Sequence, residues 1–273
     1  MDNNNQLVVC IMGQNCERFI EMCLESVKDA DAIVYCDGGS TDNTLSYFKG
    51  WYSKKREQEA IAKAKPGRPG IQLAEYPMEQ RMVIYNPYNQ EDLGMNGKQR
   101  NFYLKYLKEN YPNDWALCLD ADEVVEDLSK IKELIQIAEP GLYSVKMRHL
   151  IGDLAHEDSL QDVHWVLNRL FKISETGEYP EVEHPVLQSK TGKLFKTDLT
   201  TIWHLAYIPN MWEIKKRYDN HLKKSNMHTP QYLKQWYHSH LFGTYPRKEF
   251  RPEELPKTIL DKFGVNKDEL YFS

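Results

Sequence analysis

Three uninterrupted apolar runs, two of which end directly in an acidic turn, constrain the fold of this chain more than any other feature. They cover residues 7–12, 32–36 and 115–119, and the acidic turns are DGGSTD at 37–42 and DADE at 120–123. Short apolar runs without alternation are typical of strands that are buried on both faces, as in a parallel sheet. The sequence therefore predicts a parallel sheet at the centre of the molecule.

Helical segments alternate with these runs. After the first run, apolar side chains recur at helical spacing at Phe19, Ile20, Cys23, Leu24 and Val27. Asn15 is predicted to cap that helix. Further helices are predicted over residues 44–52, 97–109 and 129–137. The alternation of strand and helix predicts a Rossmann-like, doubly wound α/β sheet.

The pattern changes in the second half of the chain. Strand candidates dominate between residues 141 and 203, at 142–147, 163–171 and 194–202. We therefore expect a mixed sheet, part parallel and part antiparallel. Beyond residue 210 the chain is rich in aromatic and basic residues and is predicted to be helical. The result is one predicted α/β domain over residues 1–205, with a mainly helical C-terminal extension over residues 206–273.

Composition excludes several broad classes of protein. The net charge is −5, so there is no basic excess to bind nucleic-acid phosphates nonspecifically. No stretch approaches the roughly 20 apolar residues that span a bilayer, and the first five residues lack the Lys or Arg of a secretory signal. The five cysteines include no CxxC pair, which favours buried free thiols in a reducing compartment. We expect a cytoplasmic protein without a membrane span.

The second acidic turn is a candidate metal site. Asp120 and Asp122 follow a buried run, and residues two apart project to the same side of an extended chain. Two such carboxylates can hold a hard divalent cation, Mn²⁺ or Mg²⁺, which would neutralise a departing diphosphate. Because ligands bind beyond the carboxyl ends of strands in open α/β sheets, Asp37 should face the same crevice. The alternative is a solvated loop whose aspartates cap the next helix.

Four segments resemble motifs of glycosyltransferase family 2, in the family's order. VVCIMGQNCERFIEMCLESV is similar to the first strand and helix, and IVYCDGGSTDNT to the second strand and its turn. GKQRN, residues 97–101, is similar to the segment that opens the helix before the metal strand, and LCLDADE to the metal-binding DxD. Together they cover about residues 7–127.

This resemblance implies a GT-A fold and an inverting, metal-dependent transfer. A sugar would move by direct displacement from a nucleoside-diphosphate sugar, UDP- or GDP-linked, to an acceptor hydroxyl. Residues 1–127 would bind the nucleotide sugar and residues 128–205 would lie on the acceptor side. The acceptor class stays open between a glycan, a lipid, a protein and a nucleic acid.

The resemblance also implies roles on the nucleotide side. Asp37 would hydrogen-bond the base or ribose, Gly38 would form the turn beside it, and Asp42 would support that turn or touch the nucleotide. Lys98 and Arg100 open a helix next to the predicted diphosphate, and cationic side chains suit phosphate oxygens. The alternative for each of these two residues is an ordinary surface charge.

On the metal side, the resemblance makes Asp122 the direct ligand. Asp120 would contact the ribose or reach the metal through water. His204 lies at the end of a predicted strand and would add an imidazole ligand, which suits Mn²⁺. His184 is a competing candidate, and a lone histidine is more often simply packed or exposed.

The catalytic base is less clearly indicated. NRLFK at 168–172, followed by Tyr179 and Glu183-His184, resembles a family subgroup in which an acid follows the histidine. Here Pro185 follows it, and acids precede it at Glu181 and Glu183. A carboxylate near the acceptor hydroxyl is the usual base in inverting enzymes, so Glu183 is the first candidate and Glu181 the second. Both could instead be surface acids on a loop.

Two other functions fit parts of the sequence. A nucleotidyltransferase also uses aspartates and a metal, but it usually has a basic, Gly-rich loop after its first strand, and residues 13–17 (GQNCE) are neither. A non-catalytic protein that binds sugar nucleotides or glycans could use the same scaffold. The intact DADE turn argues against such a loss of activity.

Overall fold

A computed structural model of the chain describes residues 5–63, 83–85, 96–159, 168–181, 185–208, 215, 218–219, 229–241, 244–250 and 254–263. The strands are β1 (Leu7–Gly13), β2 (Ala32–Asp37), β3 (Val83–Tyr85), β4 (Trp115–Asp120), β5 (Glu123–Val125), β6 (Leu142–Ile151), β7 (His156–Asp158), β8 (Asn168–Lys172), β9 (Leu194–Tyr207) and β10 (Arg247–Glu249). The α-helices are α1 (Ile20–Ser26), α2 (Thr44–Lys63), α3 (Asn96–Asn110), α4 (Leu128–Ile137), α5 (Pro230–Leu241) and α6 (Lys257–Lys262).

The predicted parallel core is confirmed. β3, β2, β1 and β4 lie side by side in that order, and all three of their pairings are parallel. The three apolar runs of the sequence are β1, β2 and β4. They lie at the centre because a strand with apolar side chains on both faces must be covered on both.

Helices cover both faces of this parallel core. Side chains alternate along a strand, so Val9 faces one hydrophobic cluster with α1 and α4, whereas Cys10 faces another with α3. Each fully buried apolar side chain of this kind contributes roughly 1.5–3 kcal/mol. The sheet is therefore doubly wound, as the alternation of strand and helix predicted.

The second half of the sheet is antiparallel or mixed. β8 pairs antiparallel with β4, β6 pairs antiparallel with β8, and β9 pairs parallel with β6. Within that last pair Val145 faces Thr197, but the next residue, Lys146, faces Thr201. Residues 198–200 are thus extra in β9, and its later part is displaced along β6. The mixed sheet expected from the sequence is confirmed.

The described residues of the region predicted as a mainly helical extension include α5 and α6, the end of β9 and the strand β10. β10 pairs antiparallel with β7 at the edge of the sheet. Ile259 and Leu260 of α6 pack in a third hydrophobic cluster with Trp203 of β9. Three-residue strands such as β5, β7 and β10 are too short to show a period of two in the sequence.

One local prediction is wrong. Asn15 does not cap α1, which begins at Ile20 after Phe19 without any side-chain cap. Asn15 instead takes a left-handed conformation, with φ of 55°, and its side chain bonds to the next turn. Of the helices in the described part of the chain, none combines the length and apolar character that a bilayer crossing requires.

Candidate active site

Both acidic turns lie at the carboxyl edge of the parallel core, on either side of β1. Gly13 of β1 pairs with Asp37, and Met12 pairs with Asp120. Neighbouring strands lie about 4.8 Å apart, so the two aspartates are separated by roughly 10 Å across β1. A Cβ on Gly13 would lie 2.7 Å from the Cβ of Ala121, so the absence of a side chain lets the second turn approach β1 closely.

Asp37 is buried and organises its own turn. Its Oδ2 accepts hydrogen bonds from the backbone N–H groups of Gly39 (2.9 Å) and Ser40 (3.0 Å), and its Oδ1 accepts one from the Ser40 hydroxyl (2.6 Å). Gly39 has a φ of 88°, which glycine adopts without steric cost. Gly38 donates its N–H to the carbonyl of Gly13, which ties the turn to β1.

Asp42 joins this turn to the loop after β1. Its Oδ1 accepts from the N–H and the hydroxyl of Thr44, at the start of α2, and its Oδ2 accepts from the N–H of Glu17 (3.2 Å). Asn15 adds a second link, since its Oδ1 accepts from the N–H of Thr41 (2.8 Å). These contacts of Asp42 support the turn, which is one of the two roles predicted for this residue.

Asp120 is held by two buried arginines. Nη2 of Arg100, from the first turn of α3, donates to both carboxylate oxygens at 2.7 and 3.0 Å. Nη2 of Arg169, from β8, donates to Oδ2 at 2.9 Å. Burial raises the pKa of Asp120, but the two guanidinium groups outweigh it and leave this pKa well below its usual range. Arg100 was predicted to face a diphosphate, and in this structure it contacts Asp120.

Glu123 completes the cluster from β5. Its side chain is 1% exposed, accepts a short hydrogen bond from Arg169 and accepts another, at 2.8 Å, from the backbone N–H of Asp120. Arg169 thus joins two carboxylates that lie three residues apart. Burial raises the pKa of Glu123 to about 8, although Arg169 opposes the rise. The buried Nε of Arg169 has no hydrogen-bond partner among the described residues, so the cluster is only partly satisfied.

Asp122 and His204 lie side by side. Oδ1 of Asp122 is 3.8 Å from Nε2 of His204. The backbone fixes this contact, because Leu205 donates its N–H to the carbonyl of Asp122 (2.9 Å) and β5 pairs Glu123 with His204. Both side chains are largely but not fully buried, at 18% and 15% exposure, so solvent and ligands can reach them.

The separation of this pair does not exceed what one divalent cation can bridge. Bonds from Mg²⁺ to oxygen and from Zn²⁺ to imidazole are about 2.0–2.1 Å long, so two donors of one ion lie at most about 4.2 Å apart. The 3.8 Å separation of Asp122 and His204 is within that limit. Across the described ranges, no three His, Cys, Asp or Glu side chains form a metal-holding group. A cation here would take its other ligands from water and from the bound phosphates.

Two residues with prominent contacts were not singled out from the sequence. Arg169 lies in the NRLFK segment whose resemblance is described above, and that segment was its available signal. His149 of β6 lies opposite His204, with the two Nδ1 atoms 2.7 Å apart. Nothing local marks His149, because its position opposite His204 depends on the displaced register of β9.

The remaining predicted site residues lie around the start of α3. Lys98 is exposed on the first turn of that helix. A Cβ on Gly97 would lie 1.9 Å from the carbonyl oxygen of Pro180 and 3.0 Å from Cα of Glu181, so α3 contacts the backbone of that segment directly. Glu181 is exposed. Glu183 and His184 lie outside the described residues.

No protein-family model and no curated protein matches the chain. Among solved structures it is similar to TarS from S. aureus, with a TM-score of 0.44 and 12% identity over 97% of this chain and 46% of TarS. The chain thus spans just under half the length of that protein.

Two further solved structures are similar over part of the chain. For glucosyl-3-phosphoglycerate synthase from Mycobacterium tuberculosis, in complex with Mn²⁺ and uridine-diphosphate-glucose, the TM-score is 0.31 at 16% identity, over 53% of this chain and 44% of that one. For 4-diphosphocytidyl-2C-methyl-D-erythritol synthase the TM-score is 0.33 at 12% identity, over 62% and 76%. At these similarities the function must be inferred from the chain's own residues.

Proposed function

We propose that this protein is a metal-dependent, inverting glycosyltransferase that uses a UDP- or GDP-linked sugar. One observation supports this most: Asp122 and His204 lie 3.8 Å apart at the carboxyl edge of the parallel core, on the same edge as Asp37. Open α/β sheets bind their ligands at this edge. The four segments that resemble glycosyltransferase family 2, one of which contains Asp122, provide a second argument from the sequence.

In this proposal the nucleotide spans β1 between the two acidic turns. The Asp37 turn would contact the base or ribose, with Gly38 and Asp42 shaping it. Asp122 and His204 would hold Mn²⁺ or Mg²⁺, which would neutralise the diphosphate as it leaves. Asp120 would contact the ribose or a metal-bound water, since both of its oxygens already accept hydrogen bonds from arginines. Exposed Lys98 would face the diphosphate from the start of α3.

The transfer itself would be a single displacement. The acceptor oxygen forms a bond to the anomeric carbon while the bond from that carbon to the diphosphate oxygen breaks. A carboxylate takes the acceptor proton during the attack. We assign this step to Glu183, with Glu181 as the second candidate, because Pro180 and Glu181 contact the start of the helix that carries Arg100.

Nucleotide binding is the first test. Thermal unfolding would be followed with UDP, GDP, CDP and TDP, each with and without Mn²⁺. One of UDP and GDP should stabilise the protein only when the metal is present, by about 2.7 kcal/mol at a hundred times its dissociation constant. Stabilisation by a nucleoside triphosphate with a sugar phosphate would instead favour a nucleotidyltransferase. Binding without slow hydrolysis of the donor would favour a non-catalytic protein.

The metal pair, Asp122 and His204, is tested by substitution. Asp122→Ala should abolish the metal-dependent part of the stabilisation, because the ion loses its carboxylate ligand. Asp198 is an exposed aspartate among the three extra residues of β9, and Asp198→Ala is the matched control. Equal Mn²⁺-dependent binding in the Asp122→Ala and Asp198→Ala proteins would overturn the proposed site.

The base is tested separately from donor binding. Glu183→Gln should keep nucleotide binding and lose transfer by roughly 10²–10⁴-fold, the usual contribution of general base catalysis. Glu181→Gln is the paired variant, and the larger loss identifies the base. Full transfer by both variants would show that neither carboxylate takes the acceptor proton.

A further inference from the structure

His149 and His204 share a hydrogen bond between like atoms. Their Nδ1 atoms are 2.7 Å apart, and the ring planes are nearly perpendicular, at 86°. In such a bond one Nδ1 carries the proton and the other accepts it. The contact therefore couples the tautomers of the two rings, because only one of the two Nδ1 atoms can carry the shared proton, and it limits rotation of both rings.

The register of the sheet creates this pair. His149 of β6 and His204 of β9 are direct cross-strand partners, and Glu123 of β5 faces His204 from the other side. Continuing the pairing of Val145 with Thr197 would place His149 opposite Thr201, so the three extra residues of β9 bring His204 to this position. The preceding residues, Arg148 and Trp203, contact each other, and their side chains lie on the opposite face.

We infer that His149 is a positioning residue that accepts the Nδ1 proton of His204 and so directs the Nε2 lone pair toward Asp122 and the cation. This inference rests on the function proposed above. A histidine can bind a metal through Nε2 only when its remaining proton is on Nδ1, and the hydrogen bond of one ring nitrogen sets the state of the other. The Nδ1 of His204 faces His149, while its Nε2 faces Asp122 at 3.8 Å.

The expected effect is on metal affinity. Loss of a hydrogen-bond partner behind a metal-binding histidine typically weakens metal affinity by 10–100-fold. Mn²⁺ would be titrated alone, with UDP and with GDP, and the free ion followed by electron paramagnetic resonance. His149→Phe should weaken binding by about 10–100-fold. His149→Asn should retain most of the affinity, because its amide oxygen can accept the same proton.

The order of these two variants separates positioning from packing. A purely structural role in this largely buried place would favour Phe, which is apolar and fills the ring volume, over Asn. His156→Phe is the matched control, because His156 contacts Asp153 instead of His204. Pulsed electron paramagnetic resonance should also detect a ¹⁴N coupling to Mn²⁺ in the unsubstituted protein, and this coupling should weaken in His149→Phe.

The outcomes distinguish this inference from the proposed function. If His204→Ala weakens Mn²⁺ binding but His149→Phe leaves it unchanged, the metal site stands and the role of His149 is overturned. If His149→Asn is as weak as His149→Phe, packing explains the effect and the inference also fails. If His204→Ala binds Mn²⁺ as tightly as the unsubstituted protein, both the metal pair and the inference are wrong.

A second measurement needs no substitution. ¹⁵N nuclear magnetic resonance of histidine-labelled protein with diamagnetic Zn²⁺ should show a protonated Nδ1 and a metal-bound Nε2 on His204. It should also show a coupling across the hydrogen bond to Nδ1 of His149. A metal-bound protein in which His204 retains a proton on Nε2 would contradict the inference directly.

Discussion

The two acidic turns end strands on either side of β1, yet they are held in different ways. Asp37 is bound by groups within three residues of it, the N–H groups of Gly39 and Ser40 and the Ser40 hydroxyl. Asp120 is bound by Arg100 and Arg169, which are 20 and 49 residues away. The Asp37 carboxylate is therefore satisfied within its own turn, although Gly38, Asp42 and Asn15 tie that turn to β1 and the loop after it. The second turn needs α3 and β8 in place.

This difference has an energetic consequence. Hydrogen bonds between a carboxylate and nearby backbone groups stabilise one turn, typically by about 1 kcal/mol for each cap. In a buried ionic cluster, both the cost of desolvating the charges and the energy gained by pairing them are much larger. These two energies nearly cancel only while every partner is present. Substitutions in the two turns should therefore lower the free energy of unfolding by different amounts, and they should act on different parts of the fold.

The largest effect is expected at Arg169. Replacing Arg169 with Met keeps the length of the side chain but leaves Glu123 buried without its partner, and it removes one of the two arginines at Asp120. Breaking a buried pair in this way costs roughly 3–5 kcal/mol. Urea unfolding monitored by circular dichroism would measure the loss.

Arg247→Met is the control for this experiment. Arg247 approaches Asp153 at 3.5 Å on the surface and is 35% exposed, so its loss should cost less than about 1 kcal/mol. Burial raises the pKa of Glu123 to about 8 even beside Arg169, so adding Glu123→Gln to Arg169→Met should recover stability mainly above pH 8, where the unpaired carboxyl would otherwise be ionised. A cost no larger than that of Arg247→Met would show that the cluster contributes little.

A smaller loss is expected at the first turn. Asp37→Ala leaves two backbone N–H groups without their acceptor and should cost about 2 kcal/mol, within the range for unsatisfied donors. Ser40→Ala, which removes only the hydroxyl bond at 2.6 Å, should cost about half as much. The same unfolding measurement applies.

The double variant sharpens the comparison. Asp37 on β2 and Arg169 on β8 are three strand spacings apart, about 14 Å, and substitutions at sites this distant are usually additive within about 0.5 kcal/mol. Asp37→Ala combined with Arg169→Met should therefore lose the sum of the two single costs. A clear departure from the sum would mean that the turns are coupled through β1, and that the contrast between them is weaker than their contacts indicate.

The same contrast explains what the sequence could predict. The apolar runs, the acidic turns and the helices around them follow from neighbouring residues, so the parallel core was predictable and is confirmed. For the other half of the sheet, the sequence predicted strands in a mixed sheet but not how they pair. Arg169 and His149 were not identified as site residues, because their contacts depend on pairings between strands distant in sequence and on the shift between Val145 and Lys146.

Asn15 shows the limit of local prediction even in the first turn. An asparagine before a helical pattern is typical of an N-cap. Its left-handed φ of 55° instead turns its side chain toward the N–H of Thr41, 26 residues away. Asparagine suits both conformations, so the residue type alone could not separate a helix cap from a bridge between two loops.

The smallest effect is therefore expected at Asn15. Asn15→Gly loses the bond to Thr41, worth about 0.5–1.5 kcal/mol, but glycine adopts the left-handed conformation more easily than asparagine. The two effects oppose each other, and we expect a net loss of about 0.5 kcal/mol. Asn15→Ala loses the same bond and adds the strain of a Cβ at positive φ, so it should cost at least 1 kcal/mol more. Equal unfolding free energies for the two variants would show that the backbone of this exposed loop relaxes, and that the first turn does not depend on Asn15 for its conformation.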